Sequence, residues 1–149
     1  MVVTGGDAEA DLAHQVAAQA GLRDGAVHRG GSVLALARLI AAADRVVCGD
    51  TGVAHLATAV GTPSVVLFGP VSPALWGPPP ERPWHRALWA GGSGDPHGQL
   101  PDPGLLAITV EQVLDALAGL PPAPDRAGPP RAFHSARVAR LAGPSGRVA

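Results

Sequence analysis

Residues 48–70 constrain the fold of this chain more than any other segment. An apolar run ends at Cys48, a polar turn and an alanine-rich stretch follow, and a second apolar run begins after Pro63. This order is typical of a buried strand, a short helix and a second buried strand. In an open parallel sheet, ligands bind beyond the carboxyl ends of the strands. The residues that crowd this end of the first strand are Asp50, Thr51, Gly52 and His55.

The helix predicted to begin in this turn favours an anionic ligand. The first N–H groups of a helix have no partner inside it, and the positive end of the helix dipole lies beside them. Phosphate groups bind at such helix starts. The turn therefore predicts a site for an anionic ligand, and we expect that ligand to carry a nucleotide.

Strands and helices alternate along the first half of the chain. The pattern predicts a Rossmann-like parallel α/β sheet with short loops and right-handed crossovers. On the first helix we expect Ala8, Leu12, Val16 and Ala20 to share a face. The predicted strands are 1–4, 26–28, 45–48 and 64–68, and the predicted helices are 7–20, 32–43 and 53–60.

The regular pattern stops after Phe68. Residues 69–104 are rich in proline and glycine and are predicted to form a long loop. Thr109 then caps a last helix that runs to about residue 118. We expect residues 1–120 to form one domain. We expect residues 121–149, with five arginines against Asp125 alone, to form a disordered tail.

The composition points to a cytoplasmic protein. Cys48 is the single cysteine, so no disulfide can form within the chain. In a buried strand its thiol is expected to pack as a small apolar group. No apolar run is as long as a membrane span. The predicted location is the cytoplasm, and peripheral contact with the inner face of the plasma membrane is compatible with it.

An ordered set of motifs carries a family resemblance. It begins at Thr4-Gly5-Gly6 and Gly31-Ser32 and ends at Trp76-Gly77-Pro78, and its centre is Asp50-Thr51-Gly52-x-x-His55-Leu56-Ala57-x-Ala59-x-Gly61-x-Pro63, continuing to Leu67-Phe68-Gly69-Pro70. The set resembles glycosyltransferase family 9, the family of the ADP-heptose:lipopolysaccharide heptosyltransferases. The resemblance covers roughly residues 1–120. It corresponds to most of the C-terminal, donor-binding half of a two-domain GT-B enzyme.

The resemblance implies roles for individual residues at the diphosphate of a nucleotide-sugar donor. Thr51 and Gly52 would donate backbone N–H groups, and Thr51 would also offer its hydroxyl. His55, if protonated, would stabilise the leaving diphosphate. Asp50 would cap the helix and fix the turn, because its charge repels a phosphate. A plain helix cap at Asp50 and a packed imidazole at His55 are the alternatives without a ligand.

Further positions would contact the rest of the donor. Glu9 stands where the family has an acidic residue that binds the ribose hydroxyls, and a solvated first-turn carboxylate is the alternative. Gly31 and Ser32, with the neighbouring Gly30, would border the base. Gly69 and Pro70 would shape the sugar side.

The implied function is transfer of a sugar from a nucleotide diphosphate donor to a saccharide or lipid-linked acceptor, with inversion. An ADP-sugar is the favoured donor, and no cofactor or metal is expected. The acceptor-binding half and its catalytic base are not expected within these residues, so no catalytic residue is assigned. The chain alone is expected to be an inactive fragment, with the missing half of the enzyme as its partner.

Two other functions remain open. The chain can be a non-catalytic nucleotide-binding or partner-binding module, including a remnant of an enzyme. It can also belong to another GT-B enzyme, such as a sugar-nucleotide 2-epimerase.

Two departures from the family pattern bear on the site. Gly49 stands where asparagine is usual, and the strand-helix unit that supplies a phosphate-contacting side chain is absent from the sequence.

Overall fold

The computed structural model describes residues 1–23, 25–96, 98 and 100–122. The predicted disordered tail therefore lies outside the described residues from position 123 onward. The described chain divides into two units, Met1–Ser32 and a second unit that begins at Val33. The strands form two parallel sheets, one in each unit, as the α/β pattern of the sequence predicts.

The first unit is a β-α-β element. Strand β1 (Val3–Gly5) leads through a 3-10 turn (Asp7–Glu9) into helix α1 (Ala10–Gln19), and strand β2 (Val27–Arg29) returns parallel to β1. Gly5 of β1 is opposite Arg29 of β2, so the residues that follow the two strands lie at the same edge of this sheet.

The buried face of α1 differs from the predicted one. Ala13 and Ala17 are buried, whereas Leu12 is 61% exposed and Val16 is 43% exposed. The reason is the close approach of α1 to β1. A Cβ on Gly5 would lie 3.4 Å from the Cβ of Ala13, which is a spacing that only small side chains allow. The alanines therefore face the strand, and the predicted face of larger residues was wrong.

The second unit carries a three-stranded sheet in the order β3-β4-β5. Each pair of neighbouring strands is parallel and is connected through helical segments. Its elements are α2 (Val33–Ala42), β3 (Val46–Gly49), α3 (Gly52–Val60), β4 (Ser64–Phe68), α4 (Pro73–Trp76), β5 (His85–Trp89), α5 (Pro103–Leu106) and α6 (Val110–Ala118).

The segment predicted as one long loop contains regular structure. Residues 73–76 form α4, and residues 85–89 form β5, which pairs with β4 along its full length. The strand lies between a proline-rich stretch and a glycine-rich stretch, and its sequence His-Arg-Ala-Leu-Trp has no clear alternation of apolar and polar residues. Pairing with the buried strand β4 therefore determines its conformation more than its own residue pattern does.

Helices pack on both faces of β4, the central strand. On one face, Ala54 of α3 packs with Val66 and Phe68. On the other face, Ala116 of α6 and Leu120 pack with Val65. Because successive side chains of a strand point to opposite faces, this arrangement places α3 and α6 on opposite sides of the sheet. The doubly wound arrangement predicted from the sequence is confirmed for this unit.

The first residues of α2 and α6 are apolar but exposed. Ile40 of α2 is buried, but Val33, the first residue of that helix, is 71% exposed. Val110 has the same position in α6 and is 58% exposed. Within the described residues, no helix has both the length and the apolar character needed to cross a membrane.

Candidate functional site

The carboxyl ends of β3 and β4 form one edge of the three-stranded sheet. Gly49 of β3 is opposite Leu67 of β4, and the N–H of Asp50 donates to the carbonyl oxygen of Leu67 at 3.1 Å. The pairing therefore continues one residue past β3 and fixes the start of the turn. Gly69 and Pro70 follow β4 at the same edge. The structure thus brings together six of the residues predicted for the site.

The N-terminus of α3 has no side-chain cap. The N-cap residue is Thr51 in an extended conformation, and its side chain makes no capping hydrogen bond. The cap predicted for Asp50 was therefore wrong, because the helix begins one residue later. By contrast, Ser72, Asp102 and Thr109 each accept a hydrogen bond from the first turns of α4, α5 and α6. The first N–H groups of α3 are left facing outward.

Gly52, the first residue of α3, is a glycine that the protein itself does not require. No heavy atom lies within 4 Å of the position that its Cβ would occupy, and its backbone is not in the left-handed region. The residue is exposed. A missing Cβ leaves room for a group outside the protein to approach the backbone.

His55 lies one helical turn after the N-terminus of α3, on the side of the helix where Thr51 and Gly52 also lie. It follows Thr51 by four residues and Gly52 by three, which are the spacings of neighbours on a helix surface. His55 is exposed, and this disfavours the alternative of an imidazole packed in the core. Its imidazole is the ionisable group that α3 presents next to its N-terminus.

A cavity of about 200 Å³ lies beside His55. One wall is α3, through Ala54, His55 and Thr58, and β4 forms the floor through Val66 and Phe68. The opposite wall is the segment from Trp76 to Pro79. The hydroxyl of Thr58 donates to the carbonyl oxygen of Ala54 at 3.0 Å, so it is used within the helix. The cavity is therefore mostly apolar, with one imidazole and one indole on its walls.

Trp76 is a cavity residue that the sequence reasoning did not place. Its side chain is 63% exposed. The sequence feature that points to Trp76 is the Trp76-Gly77-Pro78 motif, which is part of the family resemblance. What the motif alone does not show is that α4 directs the indole toward α3.

The charge of Asp50 acts on the neighbouring thiol. Burial, followed by the negative charge of Asp50, raises the pKa of Cys48 to about 11. The thiol is therefore protonated at neutral pH and is a poor nucleophile. It packs against the cluster of Ala54, Val66 and Phe68, in agreement with the packing role that the sequence predicts.

Gly69 is held by close contacts of its own. It is buried, its carbonyl oxygen accepts from the indole N–H of Trp89 at 3.1 Å, and a Cβ on it would lie 3.4 Å from the Cβ of Asp102. Pro70 is half-buried beside it. Gly69 thus tethers the end of β4 to α5 and β5, and Pro70 is the more accessible of the two residues.

The predicted ribose and base contacts belong to the first unit. Glu9 is exposed, and one of its carboxylate oxygens accepts from the N–H of Gly6 at 2.8 Å. This bond folds the carboxylate back toward the end of β1 and leaves its second oxygen available. Gly30 and Gly31 follow β2 with φ values of 61° and 91°. Ser32 comes next, so all these residues lie past the carboxyl ends of β1 and β2.

The comparisons with known proteins agree with this arrangement. The model of glycosyltransferase family 9 (heptosyltransferase) matches residues 2–92. Lipopolysaccharide heptosyltransferase 1 of Pseudomonas aeruginosa is 40% identical over 73 residues, which are 49% of this chain and 20% of that protein. The match therefore spans about a fifth of the length of that curated relative. No solved structure gives a significant match. Because the family model covers more than half of the chain, the chain belongs to glycosyltransferase family 9.

Proposed function

We propose that this chain binds the nucleotide-sugar donor of a glycosyltransferase. In the complete enzyme the sugar is transferred from a nucleoside diphosphate to a saccharide or lipid-linked acceptor, with inversion at the anomeric carbon. The observation that carries the proposal is the open N-terminus of α3 in a member of this family. We assign the donor diphosphate to the N–H groups of Thr51 and Gly52.

The contrast between helix starts supports this assignment. In three other helices of the same unit, the side chain of the N-cap residue accepts from one or two N–H groups of the first turn. Helix α3 leaves these groups open, and its first residue is a glycine with no neighbour to avoid. A phosphate oxygen would complete the hydrogen bonding of the first turn and would gain from the helix dipole.

Asp50 and His55 have opposite roles in the proposal. The carboxylate of Asp50 repels a phosphate, so we assign it no contact with the diphosphate. The backbone N–H of Asp50 holds the start of the turn through its bond to the carbonyl oxygen of Leu67. The imidazole of His55 lies one helical turn from the open N–H groups. In its protonated form it would stabilise the negative charge that develops on the leaving diphosphate.

The other parts of the substrate are assigned on the family resemblance. Glu9 would accept from the ribose hydroxyls through the oxygen that Gly6 leaves available. Gly31 and Ser32 would border the base, and an ADP-sugar is the favoured donor. The acceptor site and the catalytic base are assigned to the part of the enzyme that these 149 residues do not include.

Thermal unfolding with and without ADP, UDP, GDP and CDP tests donor binding. A ligand at a hundred times its dissociation constant stabilises the folded state by about 2.7 kcal/mol. We expect ADP to raise the unfolding temperature and the other nucleotides to raise it less. A cooperative transition that no nucleotide shifts would contradict the proposal and favour a non-catalytic module.

The reaction class needs a separate test. The chain is combined with the acceptor-binding half of a family member, and an ADP-sugar is added with and without a saccharide acceptor. A transferase forms product only when the acceptor is present. Conversion of the sugar nucleotide without an acceptor would instead indicate a 2-epimerase.

A further inference from the structure

The cavity between α3 and the segment Trp76–Pro79 has no role in the diphosphate site described above. We propose that it is the subsite for the sugar ring of the donor, and that Trp76 stacks on one face of that ring and restricts which sugars fit. This inference rests on the proposed function, because it places the donor diphosphate at the start of α3.

The position of the cavity fits the sugar end of a donor. His55 is a wall residue and lies one helical turn, about 5.4 Å along the axis, from Thr51. A group bonded directly to the diphosphate would therefore reach the cavity. The residues assigned to the ribose and the base follow β1 and β2 instead. Gly69 and Pro70, which the resemblance assigns to the sugar side, do not line the cavity but precede the segment Trp76–Pro79 along the chain. We therefore assign to the cavity the sugar ring, which is bonded directly to the diphosphate.

The size and chemistry of the cavity also suit a single ring. Its volume of about 200 Å³ can hold one sugar ring but not a whole nucleotide. Trp76 offers an indole that is 63% exposed, although burial of so large an apolar group is favourable. The C–H groups on one face of a pyranose carry partial positive charge, and they pack well against the electron-rich face of an indole.

The wall that holds Trp76 is fixed by a contact that requires glycine. The N–H of Gly77 donates to the carbonyl oxygen of Pro73 at 2.7 Å, and a Cβ on Gly77 would overlap that oxygen. The side chain of Ser72 caps the same short helix by accepting from Ala74. Proline follows Gly77 at positions 78 and 79. These constraints fix the backbone of the segment that carries Trp76 before any ligand binds.

The test compares each nucleoside diphosphate with its sugar conjugate by titration calorimetry. The pairs are ADP with ADP-glucose, UDP with UDP-glucose, and GDP with GDP-mannose. For the nucleotide that binds, we expect Trp76→Ala to weaken binding of the conjugate about five- to tenfold and binding of the free diphosphate less than twofold. Trp76→Phe should retain most of the affinity, because it keeps an aromatic face.

Leu75→Ala is the matched control. Leu75 lies on the same short helix and is 71% exposed, but it is not part of the cavity wall. We expect it to bind both ligands as the unaltered chain does. If it weakens the conjugate as much as Trp76→Ala does, the effect belongs to the helix as a whole and the inference is overturned.

A spectroscopic measurement reports on Trp76 in the unaltered chain and needs a variant only to assign the signal. The chain has three tryptophans, and Trp76→Phe identifies the indole N–H signal of Trp76 in a ¹⁵N NMR spectrum. We expect that signal to shift with the conjugate and not with the free diphosphate. Equal shifts with both ligands, or equal losses of affinity in Trp76→Ala, would overturn the sugar subsite but not donor binding. Absence of any nucleotide binding would overturn the proposed function and this inference together.

Discussion

The residues at the two ends of the three-stranded sheet differ in burial. At the amino end, Thr62, Ser64 and His85 are buried and bonded. The Thr62 hydroxyl donates to the carbonyl oxygen of Ile40 at 2.8 Å, and Ser64 Oγ and His85 Nδ1 are 2.9 Å apart. At the carboxyl end, Thr51, Gly52 and His55 are exposed. Polar residues of one sheet therefore serve the fold at one end and remain accessible at the other.

The difference gives a criterion for recognising a site. A buried polar group needs a partner inside the protein. At the amino end the hydroxyls of Thr62 and Ser64 and the Nδ1 atom of His85 have one, whereas the Nε2 atom of His85 and the indole N–H of Trp84 are buried without one among the described residues. At the carboxyl end the Thr51 side chain does not cap α3, and Gly52 has no internal contact to avoid. Exposed groups that make no hydrogen bond within the protein are available to a ligand. Substitutions at the two ends should therefore separate binding from stability.

The largest expected effect is loss of nucleotide binding in Gly52→Val. A valine side chain would occupy the space through which a phosphate approaches the N–H groups of Thr51 and Gly52. The fold should tolerate the change, because Val110 has the same first position in α6 and is exposed there. We expect the ligand-induced stabilisation of about 2.7 kcal/mol to disappear while the melting temperature of the free chain changes little.

Ala59→Val is the matched control for this substitution. It adds a similar side chain to an exposed position in the C-terminal half of the same helix. Binding of ADP should be unchanged in this variant. The diphosphate assignment is wrong if Gly52→Val still binds ADP with the affinity of the unaltered chain.

The next largest effect is on stability, at the amino end of the sheet. Thr62→Val preserves the shape of a fully buried side chain but removes the hydroxyl that bonds to Ile40. A buried carbonyl oxygen that loses its donor destabilises the fold by about 1–3 kcal/mol. We expect the free energy of unfolding in urea to fall by about 2 kcal/mol. The ADP affinity of the folded chain should not change, and a loss of affinity would contradict the separation of the two ends.

A smaller effect distinguishes two threonines that both precede a nine-residue helix. Thr109 and Gln112 form a reciprocal capping box at α6, with bonds of 3.3 Å and 2.9 Å, whereas Thr51 forms no such bond at α3. We expect Thr109→Ala to lower the free energy of unfolding by about 1 kcal/mol without a change in binding. Thr51→Ala should change the free energy of unfolding by only a few tenths of a kcal/mol. It should weaken ADP binding, because it removes a hydroxyl that makes no capping bond and that we assign to the diphosphate. Equal destabilisation by both would show that Thr51 is a structural cap.

The sequence predicts the arrangement at the carboxyl end better than the packing around it. Four strands, the main helices and the grouping of Asp50, Thr51, Gly52 and His55 follow from local patterns of apolar, small and capping residues. The strand at 85–89 does not, because pairing with β4 determines it. Likewise, the turn after Trp76 contains a close backbone contact between Gly77 and Pro73, which no side-chain pattern predicts.

The smallest expected effect is a dependence of stability on pH that originates at the amino end. Burial, followed by the positive charge of Arg82, lowers the pKa of His85 below its ordinary value of 6.5. The neutral imidazole is therefore the form that the folded state favours. Its contribution is present above pH 6.5 and decreases as the pH falls from that value toward the lowered pKa, because the unfolded chain then binds the proton more readily. We expect the urea midpoint to be lower at pH 5.5 than at pH 7.5. His85→Asn, which can still bond to Ser64 but does not titrate, should reduce this difference. If the urea midpoints of that variant differ between pH 5.5 and pH 7.5 as much as those of the unaltered chain, the pH dependence comes from groups other than His85.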